Sequence, residues 1–422
     1  MLTEAPRGTN DLLPDRSPVW RRVEAEIAEL CRLYAYRELR TPIFEHTELF
    51  QRGVGETTDI VEKEMYTFTD RGGRSITLRP EITAGLVRAY LEHRLDTGPQ
   101  PTKLYCVGPG FRYERPQAGR FRQFTQWDVE VFGAADPAVD AEVIEIGVAL
   151  VRRLGLEGLV VRLNSIGCPR CRGAYRGRLR DYYRPLLAGL CPSCQSRFER
   201  NPLRLLDCKE EACRPVARRA PRMLDSLCDE CRVHFAAVQE RLRALAVPYE
   251  IDTGIVRGLD YYTRTVFEVT YPPLGAQNAI WGGGRYDGLI ETLGGSSTPG
   301  VGFALGIERL VMTLEKTNLL GEADRGIDVF VAPMQQEQSP AALQLLYRLR
   351  RAGLAAETDY LGRSLKGQMK LINRLGARYA AIIGPEEALR GAVALREMRT
   401  GEQREVAAEA VVQAVAGAAG EQ

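Results

Sequence analysis

The sequence has no G-x-x-x-x-G-K-[ST] phosphate loop, no G-x-S-x-G nucleophile elbow and no H-E-x-x-H helix, and it holds only three histidines, His46, His93 and His234. These absences exclude a Walker-type phosphate cradle, an α/β-hydrolase triad and a zincin site, and they leave a histidine nucleophile or general base few candidates. Charge of one sign is also lacking. The 57 Lys and Arg stand against 55 Asp and Glu, a formal +2, so a polyanionic partner would have to be met by a local patch. No stretch approaches the roughly 18 uncharged apolar residues that a membrane span requires, and the first residues form no apolar signal core. The expectation is a soluble, cytoplasmic protein with no membrane partner. Repeats and low-complexity tracts are absent too, apart from an Ala/Val-rich end at 406–420 that reads as a helix.

At 422 residues and 45% apolar composition, the chain is long enough for two or three domains with cores of their own. Ser17-Pro18 opens a helix whose Trp20, Val23, Ile27, Leu30 and Tyr34 recur at helical spacing. Residues 103–107, 111–114 and 123–132 are rich in β-formers and read as successive strands of an antiparallel sheet. Segment 164–235 breaks this pattern with cysteine pairs, arginines and prolines, and strand-like sequence resumes after Pro248. It reads as an insertion dividing a core into 1–163 and 236–322. From 323 to 422, a strand at 328–333, a helix at 341–351 and a strand at 379–383 alternate as in an α/β unit, which makes a separate C-terminal domain. The fold class is α+β.

Four stretches carry more polar chemistry than a core element needs. In Thr77-Leu-Arg-Pro-Glu-Ile-Thr83, Arg79 and Glu81 flank a proline just before a helical run at 84–91. Residues 110–133 read as strand, turn, strand, with Pro116 and Gly119 at the turn. On the second strand, a period of two sets Gln126, Asp128 and Glu130 on one face and Thr125, Trp127, Val129 and Val131 on the other. The acidic face, if enclosed, calls for a cationic or donor-rich ligand. Arg112, Arg115, Arg120 and Arg122 near the turn offer forks for phosphate. A ligand with an ammonium end and a phosphate end suits both, although a solvated hairpin with surface ion pairs accounts for the alternation as well. The third stretch, 256–268, brings Arg257, Asp260, Tyr261 and Tyr262 into one turn before a strand. The fourth, 300–309, is a glycine-bounded apolar strand running into a helix that begins with Glu308 and Arg309, where backbone can approach a ligand closely. With no phosphate loop, phosphate falls to arginine, and since none of the four contains a histidine the chemistry needs no protein nucleophile.

In this order the four stretches resemble the signature motifs of the class II histidyl-tRNA synthetases. Residues 6–14 resemble that family's opening, Thr41-Pro-Ile-Phe-Glu45 its class II dimer motif, 111–133 motif 2, 257–268 the histidine-specific motif and 300–309 motif 3. The resemblance implies a class II antiparallel β-sheet core flanked by helices, with a Cys-rich insertion and a C-terminal α/β anticodon-binding domain. It implies an enzyme that activates L-histidine with ATP and Mg²⁺ to histidyl-adenylate and pyrophosphate, then transfers histidine to the 3′ end of tRNA(His), and that works as a homodimer. By the same resemblance Arg257 and Arg112 are the catalytic pair, Arg257 bridging the histidine carboxylate and the α-phosphate that Arg112 holds. Glu81, Thr83 and Gln126 would bind near the amino group, and Glu130 and Tyr262, with Tyr261 beside them, would read the imidazole. Arg112, Glu114, Arg120, Glu308 and Arg309 would take ATP. Two departures lie beside this pocket: Ile82 stands where the family pattern has glycine, and Trp127-Asp128 where smaller or different residues are common. The family's regulatory paralogue, eroded around Arg-Gly-Leu-Asp-Tyr-Tyr and without the C-terminal domain, fits less well, since this chain keeps both.

Two further features stand apart from those motifs. Cys168-x-x-Cys171, Cys191-x-x-Cys194, Cys208-x₄-Cys213 and Cys228-x-x-Cys231 hold eight of the ten cysteines in pairs. Paired knuckles of this spacing suit tetrahedral zinc, and two four-sulfur sites are arithmetically possible; reduced, partly buried thiols are the other reading. A zinc-dependent nucleic-acid-binding protein would explain these cysteines and leave the arginine-bearing motifs unexplained. Arg170, Arg172, Arg176, Arg178 and Arg180 crowd the same segment, as a contact for the tRNA acceptor arm or as a solvated face. In the C-terminal domain, Arg363, Lys366, Lys370 and Arg374 form a basic stripe opposite Leu365, Met369 and Ile372, which suits a phosphate backbone and also suits a solvated helix face. In the family's context it is the candidate tRNA contact.

Overall fold

The computed structural model describes residues 3–55, 58–117, 119–206, 208, 210–255, 259–319 and 326–416. They divide into two compact units, 1–321 and 322–422. The strands of the first unit are β1 Arg37–Glu38, β2 Phe44–His46, β3 Tyr66–Thr69, β4 Ser75–Leu78, β5 Thr102–Phe111, β6 Gln123–Phe132, β7 Val160–Ser165, β8 Tyr249–Ile251, β9 Thr263–Thr270, β10 Ala279–Arg285 and β11 Gly300–Gly306. Eight of them form one sheet in the order β1-β5-β6-β11-β10-β9-β7-β8. Its interior is antiparallel and its two edge pairs, β1 with β5 and β7 with β8, are parallel. A small antiparallel sheet, β2-β4-β3, stands apart from it.

The helices Ser17–Leu33, Pro137–Arg153, Asp229–Ala244 and Ile307–Lys316 place Ile27, Ile144, Val238 and Leu310 in one core with Trp127, Val129, Val131, Phe303 and Leu305 of β6 and β11. This covers one face of the sheet, and the alternation along β6 is what aims those residues there. The first helix begins at Ser17 with Pro18 in its first turn, although Arg16 rather than Ser17 is its N-cap. On the opposite face the helix Thr83–Glu92 packs Leu86, Val87 and Tyr90 over Leu104, Phe132 and Tyr286, which leaves part of that face uncovered.

Local expectations need three corrections. The strand expected at 111–114 does not exist as such: β5 runs unbroken to Phe111, and beyond it the Tyr113 amide donates to Glu64 O at 2.7 Å, drawing the chain off the sheet. The helix expected from residue 406 begins at Val411, because Gln403–Ala407 is instead an edge strand. Arg363 lies ahead of its helix, Leu365–Leu375, with Ser364 as N-cap, so the aligned stripe is Lys366, Lys370 and Arg374.

Within 164–235 the cysteine pairs sit around a small core of their own that includes Tyr175, Leu179, Tyr183 and Phe198. The helix Asp229–Ala244 belongs to both regions, since Cys231 joins that core while Phe235, Val238 and Leu242 join the main one. His234 on the same helix meets Asp140 Oδ1 at 3.2 Å, and Asp140 is in turn paired with the fully buried Arg285. A buried charge needs such partners. His234 is therefore part of a structural network behind the sheet. The second unit carries β12 Val329–Pro333, β13 Ala356–Thr358, β14 Tyr379–Ile383, β15 Ala392–Glu397 and β16 Gln403–Ala407 in the order β13-β12-β14-β15-β16. Its first three strands are parallel, with helices in the connections, as the α/β alternation requires.

Candidate active site

The uncovered face of the sheet is hollow because two of its strands bring almost no side chains to it. In the ladder, Glu130 faces Gly302, Asp128 faces Ala304 and Gln126 faces Gly306, while Ala304 faces Gly282 on β10. The floor is thus glycine and alanine, and a Cβ on Gly302 would overlap the Glu130 carboxylate. Two adjoining cavities result, an inner one of about 170 Å³ and an outer one of about 460 Å³, and they share Ile60, Arg112, Gln126, Gly282 and Ala304.

The inner cavity collects Glu81, Thr83, Gln126, Glu130, Tyr261 and Tyr262, together with Asp128 and Tyr286. Glu130 accepts from Thr83 Oγ1 at 2.6 Å and from the Tyr286 hydroxyl. Glu81 sits at the start of a helix and accepts from Ala84 N at 2.9 Å. The rings of Tyr261 and Tyr286 meet edge to face at 5.4 Å. Glu81 Oε2, Gln126 Oε1 and both carboxylate oxygens of Asp128 are buried with no hydrogen-bond partner. Burial pushes Glu130 up to about 8, holds Asp128 well above the usual carboxylate range and raises Glu81. The pocket thus gathers acids that burial makes reluctant to ionise, and a cationic ligand would relieve them.

The outer cavity collects Arg112, Glu114, Arg120, Glu308 and Arg309. Arg112 donates Nε to Pro80 O at 2.8 Å and lies over the Phe124 ring, and its two Nη atoms have no partner among the described residues. Arg309 is fixed by Gly119 O at 3.0 Å and Ala279 O at 2.6 Å. Arg120 pairs with Glu114 at 3.1 Å. Glu308 accepts from Thr125 N at 2.7 Å, and burial pushes it up to about 7. Pre-oriented guanidinium groups in a partly dry cleft suit a polyphosphate. Arg257 lies outside the described residues. Arg79 lines neither cavity: its guanidinium bonds Pro109 O and Thr41 O. Reading the sequence missed Tyr286, and the Gly282-Gly283-Gly284 run inside a strand was its available signal.

The cysteines form two groups, Cys168, Cys171, Cys228 and Cys231, and Cys191, Cys194, Cys208 and Cys213, with the sulfurs of each group within 4.8 Å of one another. A tetrahedral zinc with bonds near 2.3 Å would set sulfurs about 3.8 Å apart. Cys168 to Cys171, Cys168 to Cys228 and Cys191 to Cys208 measure 3.6, 3.9 and 3.8 Å. Backbone N–H groups of Cys228 and Cys191 donate to the Cys171 and Cys213 sulfurs at 3.1 and 3.3 Å, which would stabilise thiolates there. The donor set fits a metal in both groups. Of the neighbouring arginines, Arg170 pairs with Glu230, Arg178 donates to Ser226 and Arg180 to Glu199 O. Arg172 donates to Tyr262 O at 3.0 Å, tying the first cysteine group to the inner cavity.

In the second unit, Arg363 is held by Asp359 at 2.5 Å, whereas Lys366, Lys370 and Arg374 are exposed. No helix among the described residues is long and apolar enough to cross a membrane.

An antiparallel sheet with a side-chain-poor floor, an acidic pocket and an arginine cleft in place of a phosphate loop defines a class II aminoacyl-tRNA synthetase. Comparison with known proteins narrows the class. The histidyl-tRNA synthetase profile matches residues 8–170 and 204–310, and an anticodon-binding-domain profile matches 328–417. The chain is 57% identical to the histidine–tRNA ligase of Pelotomaculum thermopropionicum over 413 residues, 98% of this chain and 97% of the other. It is 55% identical to that of Symbiobacterium thermophilum, over 98% of each chain. The crystal structure of apo S. aureus histidyl-tRNA synthetase superposes with a TM-score of 0.84 at 40% identity, over 98% of this chain and 99% of that one. The chain belongs to the histidyl-tRNA synthetase family, whose members join histidine to tRNA.

Proposed function

We propose that this chain ligates L-histidine to tRNA(His) in two steps on the uncovered face of its sheet, with histidine in the inner cavity and ATP in the outer one. The observation that carries the reading is the junction of the two cavities at Arg112 and Gln126. A carboxylate bound there would lie beside both the acids that suit its ammonium and the arginines that suit a phosphate. The histidine carboxylate oxygen attacks the α-phosphorus, the bond to the β-phosphate bridge breaks, and pyrophosphate leaves. The terminal tRNA hydroxyl then attacks the activated carbonyl and releases AMP. The substrate supplies the nucleophile in both steps, so the protein aligns and neutralises charge.

Arg112, from its place at the junction, takes the α-phosphate, and Arg309 the far side of the nucleotide, with Glu114, Arg120 and Glu308 completing the ATP site. Arg257 bridges carboxylate and phosphate. Glu81, Thr83 and Gln126 hold the amino end; Glu130, Tyr261 and Tyr262 read the imidazole, with Tyr286 fixing Glu130. Mg²⁺ arrives with ATP and supplies further neutralisation, and Glu308 offers an oxygen of the kind it prefers. The core falls into 1–163 and 236–322, the cysteine module into 164–235 and the anticodon-binding domain into 323–422, where Lys366, Lys370 and Arg374, with Arg363 beside them, meet tRNA. The two cysteine groups would hold structural zinc. The protein works in the cytoplasm as a homodimer, for which the exposed Ile43, Phe44 and Phe68 at the small sheet supply an apolar surface.

ATP–pyrophosphate exchange with each of the 20 amino acids tests the assignment: exchange should depend on histidine alone, and exchange with another amino acid or with none refutes it. Elemental analysis of protein purified without chelator should find zinc; less than about 0.2 per chain removes it from the scheme.

A further inference from the structure

Asp128 is the one acid of the inner cavity whose carboxylate no neighbour satisfies. It is fully buried, it lines the cavity, and neither of its oxygens has a hydrogen-bond partner. An unpaired buried carboxylate is costly, and a protonated one would still need an acceptor for its O–H. Elsewhere in this chain the comparable group, Asp140, is paired with Arg285 and His234. The nearby Arg79 bonds Pro109 and Thr41 instead. The other buried oxygens without partners on this cavity are Glu81 Oε2 and Gln126 Oε1. Glu130 differs, since both its oxygens already accept, one from Thr83 and one from Tyr286.

Three side chains therefore offer unused acceptors to one small space, and two of them carry carboxyl groups. A primary ammonium has three N–H donors and one positive charge. We propose that Asp128 binds the α-ammonium of the amino acid jointly with Glu81 and Gln126, so that two carboxyl groups and one amide receive its three protons. The proposal rests on the inner cavity being the histidine site. It gives the pocket a preference for a charged amino group over a neutral substituent of the same size, because a hydroxyl there leaves acceptors unfilled. Asp128 stands opposite Ala304 and Gly282 follows across the ladder, so no side chain on the floor intervenes between this acid and a ligand.

The test is ATP–pyrophosphate exchange by Asp128→Asn, which keeps the shape and removes the charge, beside inhibition by imidazolelactate, in which a hydroxyl replaces the ammonium. The histidine KM of Asp128→Asn should rise about 10- to 100-fold, with the ATP KM and the imidazolelactate inhibition constant both within about twofold of the parent. An unchanged histidine KM overturns the proposal, as does an equal rise in histidine KM and imidazolelactate constant. Glu130→Gln separates the two levels of inference. If neither variant alters the histidine KM, the cavity is not the histidine site; if Glu130→Gln raises it and Asp128→Asn does not, only the role of Asp128 fails. Thermal melting of Asp128→Asn should give a midpoint at or above the parent's, since the substitution removes a buried carboxyl that no neighbour satisfies; a lower midpoint together with an unchanged imidazolelactate constant and unchanged histidine KM counts against it.

Discussion

The two faces of β6 lie one residue apart in sequence and differ in almost every physical respect except burial. Trp127, Val129 and Val131 are close-packed against four helices, while Gln126, Asp128 and Glu130 look onto a floor of glycine and alanine, with oxygens of Gln126 and Asp128 left unpartnered. Both sets are shielded from water. What separates core from site here is whether neighbours fill the space and whether carboxyl and amide oxygens are left over in it.

Substitutions on either face sharpen the contrast. The largest effect belongs to Trp127→Ala, which removes the bulkiest fully buried side chain and should lower the free energy of unfolding by about 3–5 kcal/mol, read as a fall in the denaturant midpoint. A loss below about 1 kcal/mol would erase the distinction between the faces. Glu130→Gln should do the reverse, cutting kcat/KM for histidine on the order of 10²-fold, about 2.7 kcal/mol, with an undiminished midpoint. Its effect on stability should also vary with pH. Burial raises this carboxyl from 4.5 to about 8, so between those values the folded state binds the extra proton. The group's contribution to stability is complete below about 4.5, declines as pH rises and levels off beyond about 8. Measured from pH 5.5 to 8.5, the melting midpoint of Glu130→Gln should gain steadily on the parent's; a constant difference would place the proton elsewhere. The smallest effect is expected in the other unit. Lys370→Ala should raise the KM for tRNA about three- to fivefold and leave pyrophosphate exchange alone, as removal of one phosphate contact does. A change in exchange instead would give Lys370 a different role.

Much of this was legible in the sequence, for reasons that differ from residue to residue. The period of two along 123–132 predicts which side chains share a face, since it depends only on strand geometry. It does not show whether the polar face meets water, and a solvated hairpin has the same pattern. That is decided by Gly282, Gly302 and Gly306 on strands far off in sequence, which empty the face, and by the helices that close the other one. Cysteine spacing gives the knuckles, yet which pairs join depends on the path of the chain between them: the first pair meets the last and the middle two meet each other. The stretch 111–114 has β-forming residues and leaves the sheet nonetheless, because Glu64 captures the Tyr113 amide. Arg363 fits the helical spacing of its neighbours, but Asp359 and the Ser364 cap put it outside the helix.

The glycine floor has a consequence beyond the shape of the cavity. Gly282-Gly283-Gly284 is a run with little intrinsic preference for extended structure, held in register by β9 on one side and β11 on the other. Its amides should therefore report on the ligand more sensitively than those of side-chain-rich β6. Amide hydrogen exchange by way of local opening would slow when histidine and ATP bridge the strands, by a factor set by ligand concentration over dissociation constant. The same residues that make room for the substrate would become a built-in gauge of how firmly it is held.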